Sequence, residues 1–261
     1  MTNGKWRYVR ASVTGTSHFS TEQKCQDFNE ILLTEDLTGK EVLVITASDG
    51  AGSAKKSAEG SHIACKQFVS TVQRHFENGG TFAQINSDLL DFWITEIHEK
   101  IIENASACEC LPRDFACTFL ALIVGHTSAI AAQIGDGAIV VGNNGQYEYV
   151  IWPQSGEYIN VTYFITDDSF ISNLHVTFID KPINEAAVFT DGIQMLALHY
   201  ATKSVFEPFF RPMFEKLRNE LPGESSTLSE RLIDYLSSPL INDRTDDDKT
   251  LILATRQQSV V

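Results

Sequence analysis

The stretch Val42-Leu43-Val44-Ile45-Thr46-Ala47-Ser48-Asp49-Gly50-Ala51-Gly52-Ser53 constrains the fold more than any other. Its opening apolar, mostly β-branched residues read as a buried strand. The strand then runs straight into Asp-Gly. A carboxylate there cannot continue a core unless it is paired, so it must turn, cap or face a site. Gly50 and Gly52 permit backbone angles that other residues resist, and they let a ligand come close. A single unit of this kind is equally a plain turn between strand and helix.

The same grammar recurs along the chain. Ala187-Val188-Phe189-Thr190-Asp191-Gly192 is an apolar strand ending in Asp-Gly, and Ile130-Ala131-Ala132-Gln133-Ile134-Gly135-Asp136-Gly137 is a further case. Asp246-Asp247-Asp248-Lys249-Thr250 leads into the apolar run Leu251-Ile252-Leu253-Ala254. Carboxylates gathered from these strand ends would repel: a like pair at ~4 Å costs about 1 kcal/mol in water and about 4 near a protein surface. A hard divalent cation with oxygen ligands removes that cost.

Composition narrows the partners. A net charge of −14 on 261 residues argues against a broad basic face for nucleic acid and fits a site that gathers cations. The start, Met1-Thr2-Asn3-Gly4-Lys5-Trp6-Arg7, lacks the apolar core of a signal peptide, and no apolar run is long enough to span a bilayer. The 5 cysteines are irregularly spaced, and Cys108-Glu109-Cys110 has no second ligand pair nearby. Reduced thiols in a soluble cytoplasmic protein are the reading, with a redox or zinc role for that pair as the rival.

Periodicity gives the organisation. Residues 6–15, 24–34 and 42–48 read as strands. Ile63, Ala64, Phe68, Val69, Val72 and Phe76 mark a helix that Gly79-Gly80 stops. Thr81 with Gln84 predicts a capping box for a second helix whose inner face is Ile85, Leu89, Trp93, Ile97 and Ile101. Strands follow at 116–124, 128–134, 138–141, 147–151, 175–179 and 186–189, with Gly142-Asn143-Asn144-Gly145 as a hairpin signal. Residues 152–172 are irregular, a surface loop or a flap. Helices return at 193–200, at 207–221 with Pro212 in the first turn, and after Thr227, capped with Glu230. No repeat or linker stands out. One α+β domain over residues 1–261, with two antiparallel sheets flanked by helix pairs, satisfies the pattern.

These motifs, taken in order, resemble the metal-dependent protein phosphatases, the type 2C serine/threonine phosphatases. Asp27 falls after Gly15 where the family's early acidic motif lies. Ser48-Asp49-Gly50-Ala51-Gly52 looks like its first Asp-Gly motif, and Ala116-Cys117-Thr118 like its small-residue–Thr motif. Gly135-Asp136-Gly137 is similar to its Gly-Asp turn, and Thr190-Asp191-Gly192 to its second Asp-Gly motif. Asp247-Asp248-Lys249-Thr250 resembles its terminal Asp-Asn-x-Thr.

The resemblance implies a four-layer α-β-β-α sandwich with a two-metal centre at one end. It implies that Asp49 bridges two Mn²⁺ or Mg²⁺ ions, that the Gly50 carbonyl meets one, and that Asp191 and Asp247 hold the other. Asp49, Asp191 and Asp247 are thus the implied catalytic set, and a water between the ions would attack phosphorus in line. Asp27 and Asp114 are candidates for an outer shell or a third metal, Asp114 also reading as a surface strand start. Asp136 is expected to hold a turn. The implied substrates are phosphoserine and phosphothreonine in proteins, and the chain is expected to act as a monomer.

Departures from the family's pattern matter. His18 stands where an arginine usually grips the phosphate, and it is the candidate substrate-phosphate contact, beside its plain reading as a loop histidine. A histidine lacks the bidentate grip of a guanidinium. Gln26 replaces the usual Glu, and Ala51 replaces the histidine that serves some members as general acid. Lys24, Lys55 and Lys56 are the alternative phosphate contacts. The rival functions are a pseudophosphatase that binds phosphoproteins without turnover, and a calcium module over 243–248. The latter lacks the Gly and closing Glu of a calcium loop.

Overall fold

The apolar runs become strands whose two faces are both covered. The computed structural model describes residues 4–21, 24–143, 145–154 and 162–257. In chain order the longer strands are β1 (Arg7–Val13), β2 (Phe28–Glu35), β3 (Glu41–Ser48), β4 (Phe119–Val124), β5 (Ala129–Ile134), β6 (Ala138–Asn143), β7 (Gln146–Ile151), β8 (His175–Ile179), β9 (Glu185–Phe189) and β10 (Lys249–Thr255). The helices are α1 (Ser57–Glu77), α2 (Ser87–Ala107), α3 (Gln194–Ala197), α4 (Glu207–Leu217), α5 (Ser226–Leu236) and α6 (Pro239–Asn242).

Strands β2, β3, β4, β5 and β8 form one antiparallel sheet in that order. The second sheet runs β1, β10, β9, β6, β7, also antiparallel, with the short segment Gly223–Glu224 added in parallel at the β1 edge. Phe68, Trp93, Ile97 and Ile123 fill the space between α1, α2 and the first sheet. Leu43, Leu122, Ile139, Val188 and Ile252 fill the space between the sheets. Phe189, Phe210, Phe214 and Leu232 lie between the second sheet and the later helices. This is the expected α-β-β-α sandwich. The central strands are buried on both faces, which is why they read as continuous apolar runs rather than alternations. The long helices α1 and α2 pack along one another, whereas the short α4 and α5 lie on their sheet with little mutual contact.

Several boundaries differ from the sequence reading. Gln84 does accept the Thr81 N–H at 2.7 Å, but it closes only a short 3₁₀ turn, Phe82–Gln84. α2 starts later, where the Asn86 side chain accepts the Leu89 N–H at 2.9 Å. The helix expected at 193–200 is a 3₁₀ turn plus the single turn α3, because Leu198 and His199 leave it to pair with Val205 and Ser204. Pro212 lies inside α4 rather than in its first turn. α5 is capped by Ser225, which accepts the Leu228 N–H, and not by Thr227. Of the irregular stretch 152–172, residues 155–161 lie outside the described residues.

Candidate metal centre

Sheet register brings the acidic strand ends to one end of the sandwich. Phe28 pairs with Ser48, so Asp27 and Asp49 flank the same rung. Phe189 pairs with both Leu251 and Ala138, which sets Asp191 beside the terminal acidic loop and the Gly135-Asp136-Gly137 turn. Val13 pairs with Lys249, which brings Gly15 against residues 246–248.

Close backbone approach needs glycine here, as Gly50 and Gly192 show. A Cβ on Gly192 would strike the Asp248 carbonyl, and one on Gly50 would lie 2.7 Å from the Gln26 carbonyl and 2.8 Å from Ser57. The Asp-Gly motifs are therefore places where chain segments cross, as well as turns.

Asp49 is held by its own backbone. Its N–H donates to Thr118 Oγ1 at 3.0 Å, and its C=O accepts the Thr118 N–H at 2.8 Å. The Ala51 N–H donates to the Ala116 carbonyl at 2.9 Å. Gly50 sits opposite Cys117 between these bonds, so the bridge is tied by its neighbours and not by the Gly50 carbonyl itself. Across the site, Thr190 Oγ1 donates to Asp27 Oδ2 at 2.7 Å and accepts the Thr250 N–H at 3.0 Å. Thr162 Oγ1 donates to Asp136 Oδ2.

Carboxylate oxygens of Asp49, Asp136 and Asp191 lie within 4.8 Å of one another. Each of these groups is pushed above the usual carboxylate range. Burial is the first cause for all of them. The charges of Asp27 and Asp191 add to it at Asp49, and those of Asp136 and Asp247 at Asp191. Asp27 is raised to about 7, chiefly by burial, and Asp191 to about 8. Asp247, more exposed, is also raised, first by burial. Buried carboxylates crowded in this way hold protons unless a cation takes their place.

The residues fit such a cation. Asp27 Oδ1, Asp136 Oδ1 and Asp191 Oδ1 are buried without a hydrogen-bond donor. The set is all oxygen, the chemistry of hard divalent ions.

Asp49 and Asp191 therefore come together as the sequence reading has it, with Gly50 beside them. Asp27 lies in contact with the group through Thr190 and Asp49. Asp247 is close enough to raise Asp49 and Asp191 but stands outside the 4.8 Å set. Asp136 stands inside it. The sequence reading gives Asp136 a turn; it does follow Gly135, whose φ is 102°, and its carboxylate also lies in this group. Asp114 accepts the Leu111 N–H at 2.9 Å on a 3₁₀ turn and is not in the cluster. His18 is mostly covered, with Nδ1 3.1 Å from Asp248 Oδ1. Lys56 is engaged with Glu59 and the Phe115 ring, while Lys24 and Lys55 are exposed.

Asp248 is the residue the sequence undersells. Its Oδ1 accepts the Gly15 N–H at 2.6 Å and its Oδ2 the Gln26 N–H at 2.5 Å. The terminal motif is thereby bolted to the first one. The only signal in the sequence is a second acid where the resembling family has Asn.

The chain is similar to known protein phosphatases over most of its length. The family model described as protein phosphatase 2C matches residues 14–237. Serine/threonine-protein phosphatase 3 of Escherichia coli (strain K12) is 37% identical over 249 residues, covering 95% of this chain and 98% of its own. A crystal structure of a bacterial serine phosphatase superposes with a TM-score of 0.66 at 17% identity, covering 97% of this chain and 99% of its own. The serine/threonine phosphatase Stp1 from Staphylococcus aureus gives a TM-score of 0.61 at 18% identity, covering 95% and 94%.

Proposed function

The chain belongs to the protein phosphatase 2C family, and on that premise we propose that it hydrolyses phosphoserine and phosphothreonine esters of proteins in a metal-dependent reaction. The observation that carries the proposal is the Asp49–Asp136–Asp191 cluster, with oxygens within 4.8 Å at the end of the sandwich. Asp49, Asp191, Asp247 and the Gly50 carbonyl are proposed to hold two Mg²⁺ or Mn²⁺ ions. Asp136, sharing Asp191, is the better candidate than Asp114 for a third. Bound, such ions make water a stronger nucleophile at neutral pH and offset the charge of the phosphoryl group.

The chain's own groups do the positioning. Thr118 fixes the Asp49 backbone, and Thr190 fixes Asp27 and the start of β10. Asp248 holds the Gly15 and Gln26 amides, and with them the turn that carries His18. His18 is proposed as the phosphate contact, with exposed Lys24 and Lys55 as the alternatives. Ala51 offers no proton donor, so the leaving alkoxide takes its proton from water.

Motifs from Gly15 to Asp248 meet at one site, which supports a single phosphatase domain over residues 1–261 acting as one chain. All 5 cysteines are free thiols, which supports the cytoplasm as its compartment. Among the described residues no helix is long and apolar enough to cross a membrane. A phosphoprotein binder without turnover finds no support, since the acidic set is complete.

The test is phosphate release from a phosphothreonine peptide by chelator-stripped protein. Mn²⁺ or Mg²⁺ should restore turnover and a chelator should remove it again. Absence of turnover at saturating metal would sink the proposal.

A further inference from the structure

Away from the acidic end, α4 and α5 border an open groove of about 320 Å³ over the second sheet, with Lys216 and Arg231 on its exposed rim. That volume is in the ~300–1,000 Å³ range of small-ligand sites. Its floor is Val9 and Leu253, which pair with each other in mid-strand. Four residues farther along β1, Val13 pairs with Lys249 beside the acidic loop, about 13 Å away at ~3.3 Å per residue.

The sequence explains the gap. Pro208 and Pro212 both line it. Pro212, inside α4, cannot donate to the Pro208 carbonyl, and its ring is smaller than the Phe or Leu side chains beside it. From α5 come Leu228, Leu232 and Tyr235. The Tyr235 hydroxyl is raised above its usual range, first by burial.

Charge is the second observation. The lining contains Lys216 from α4 and Arg231 from α5, and no acid, in a chain with 34 acids against 20 bases. Other cations of α4 and its end are used internally: Arg211 pairs with Glu207, and Arg218 with Glu185. Lys216 and Arg231 enter no such pair among the described residues.

We infer that this groove binds a small aliphatic monocarboxylate, its chain on the Val9–Leu253 floor and its carboxylate between Lys216 and Arg231. The apolar floor supplies the gain from burying a hydrocarbon tail, and the two cations select an anionic head over a neutral one.

The probe is decanoate below its micellar range, with decanol as the neutral control, read by thermal unfolding of the metal-loaded protein. Decanoate should raise the Tm saturably, and decanol should need about tenfold more for half the effect. Combined Lys216→Glu and Arg231→Glu should remove the preference while leaving the decanol response and phosphatase turnover unchanged. Leu228→Trp should fill the groove and abolish both responses; if it does not fold, Met213→Trp takes its place. No saturable shift in the wild type, equal response to decanol, or a response that survives the filled groove each overturns the assignment.

Discussion

Asp248 Oδ1 lies 3.1 Å from His18 Nδ1, and the same carboxylate accepts the Gly15 and Gln26 amides. One buried side chain thus ties the last motif of the chain to the first, and sets the turn that bears His18. An asparagine has one acceptor oxygen and would present its NH₂ to an amide donor. Asp248→Asn should therefore destabilise the protein by about 1–3 kcal/mol, the cost of a buried unsatisfied donor, although the resembling family carries Asn at this place. It should also raise KM through movement of the His18 turn. Thermal unfolding and a KM measurement check both. An unchanged Tm would mean that the bonds to Gly15 and Gln26 are replaceable.

Asp136 and Asp114 part company in the structure, and their variants should do the same. Asp136 stands in the cluster, whereas Asp114 caps a surface turn. Asp136→Asn should raise the Mn²⁺ concentration for half-maximal turnover about tenfold, a loss of about 1.4 kcal/mol of metal binding. Asp114→Asn should leave that titration where it is. Equal metal requirements in the two variants would remove Asp136 from the site.

Much of this was legible before the fold was known, for a physical reason. A strand that runs into Asp-Gly announces an acid at a strand end, and several such units need a common cation. That grammar covers Asp49, Asp136 and Asp191 alike, and it was the resemblance to the type 2C phosphatases that singled out Asp49 and Asp191 and implied the four layers. Other features depend on distant partners. Asp136 is assigned a turn by the resemblance, and only the pairing of β6 with β9 sets it beside Asp191. Asp248 looks like an interchangeable surface acid until Gly15 and Gln26 arrive from the other end of the chain. The helix that periodicity predicts at 193–200 stops at Ala197 because the Leu198–Val205 pairing outweighs local helical periodicity.

Protonation gives the metal-free protein a pH dependence of definite sign. Burial raises Asp27 to about 7 and Asp191 to about 8, against about 3.9 for an unfolded Asp. A carboxyl with a raised folded pKa contributes stability that is full below its unfolded pKa and is lost as pH climbs through the folded one. The Tm of chelator-treated protein should therefore fall from pH 5 to pH 8. Metal binds the deprotonated ligands, so the Tm gain from Mn²⁺ should be larger at pH 8 than at pH 5. A rising Tm across this window without metal would contradict the crowded, protonated cluster.

The most direct test of the metal-centre account is phosphate release from a phosphothreonine peptide at saturating Mn²⁺, comparing wild type with Asp49→Asn and Asp191→Asn. Each substitution removes a carboxyl that repels its neighbours once deprotonated and opens no core cavity, so at pH 8 the metal-free variants should unfold at or above the wild-type Tm. Turnover should fall by a factor of about 100 or more, the loss expected when a group stabilising transition-state charge is removed. Near wild-type turnover in either folded variant would contradict the assignment of Asp49 and Asp191 to the metal centre.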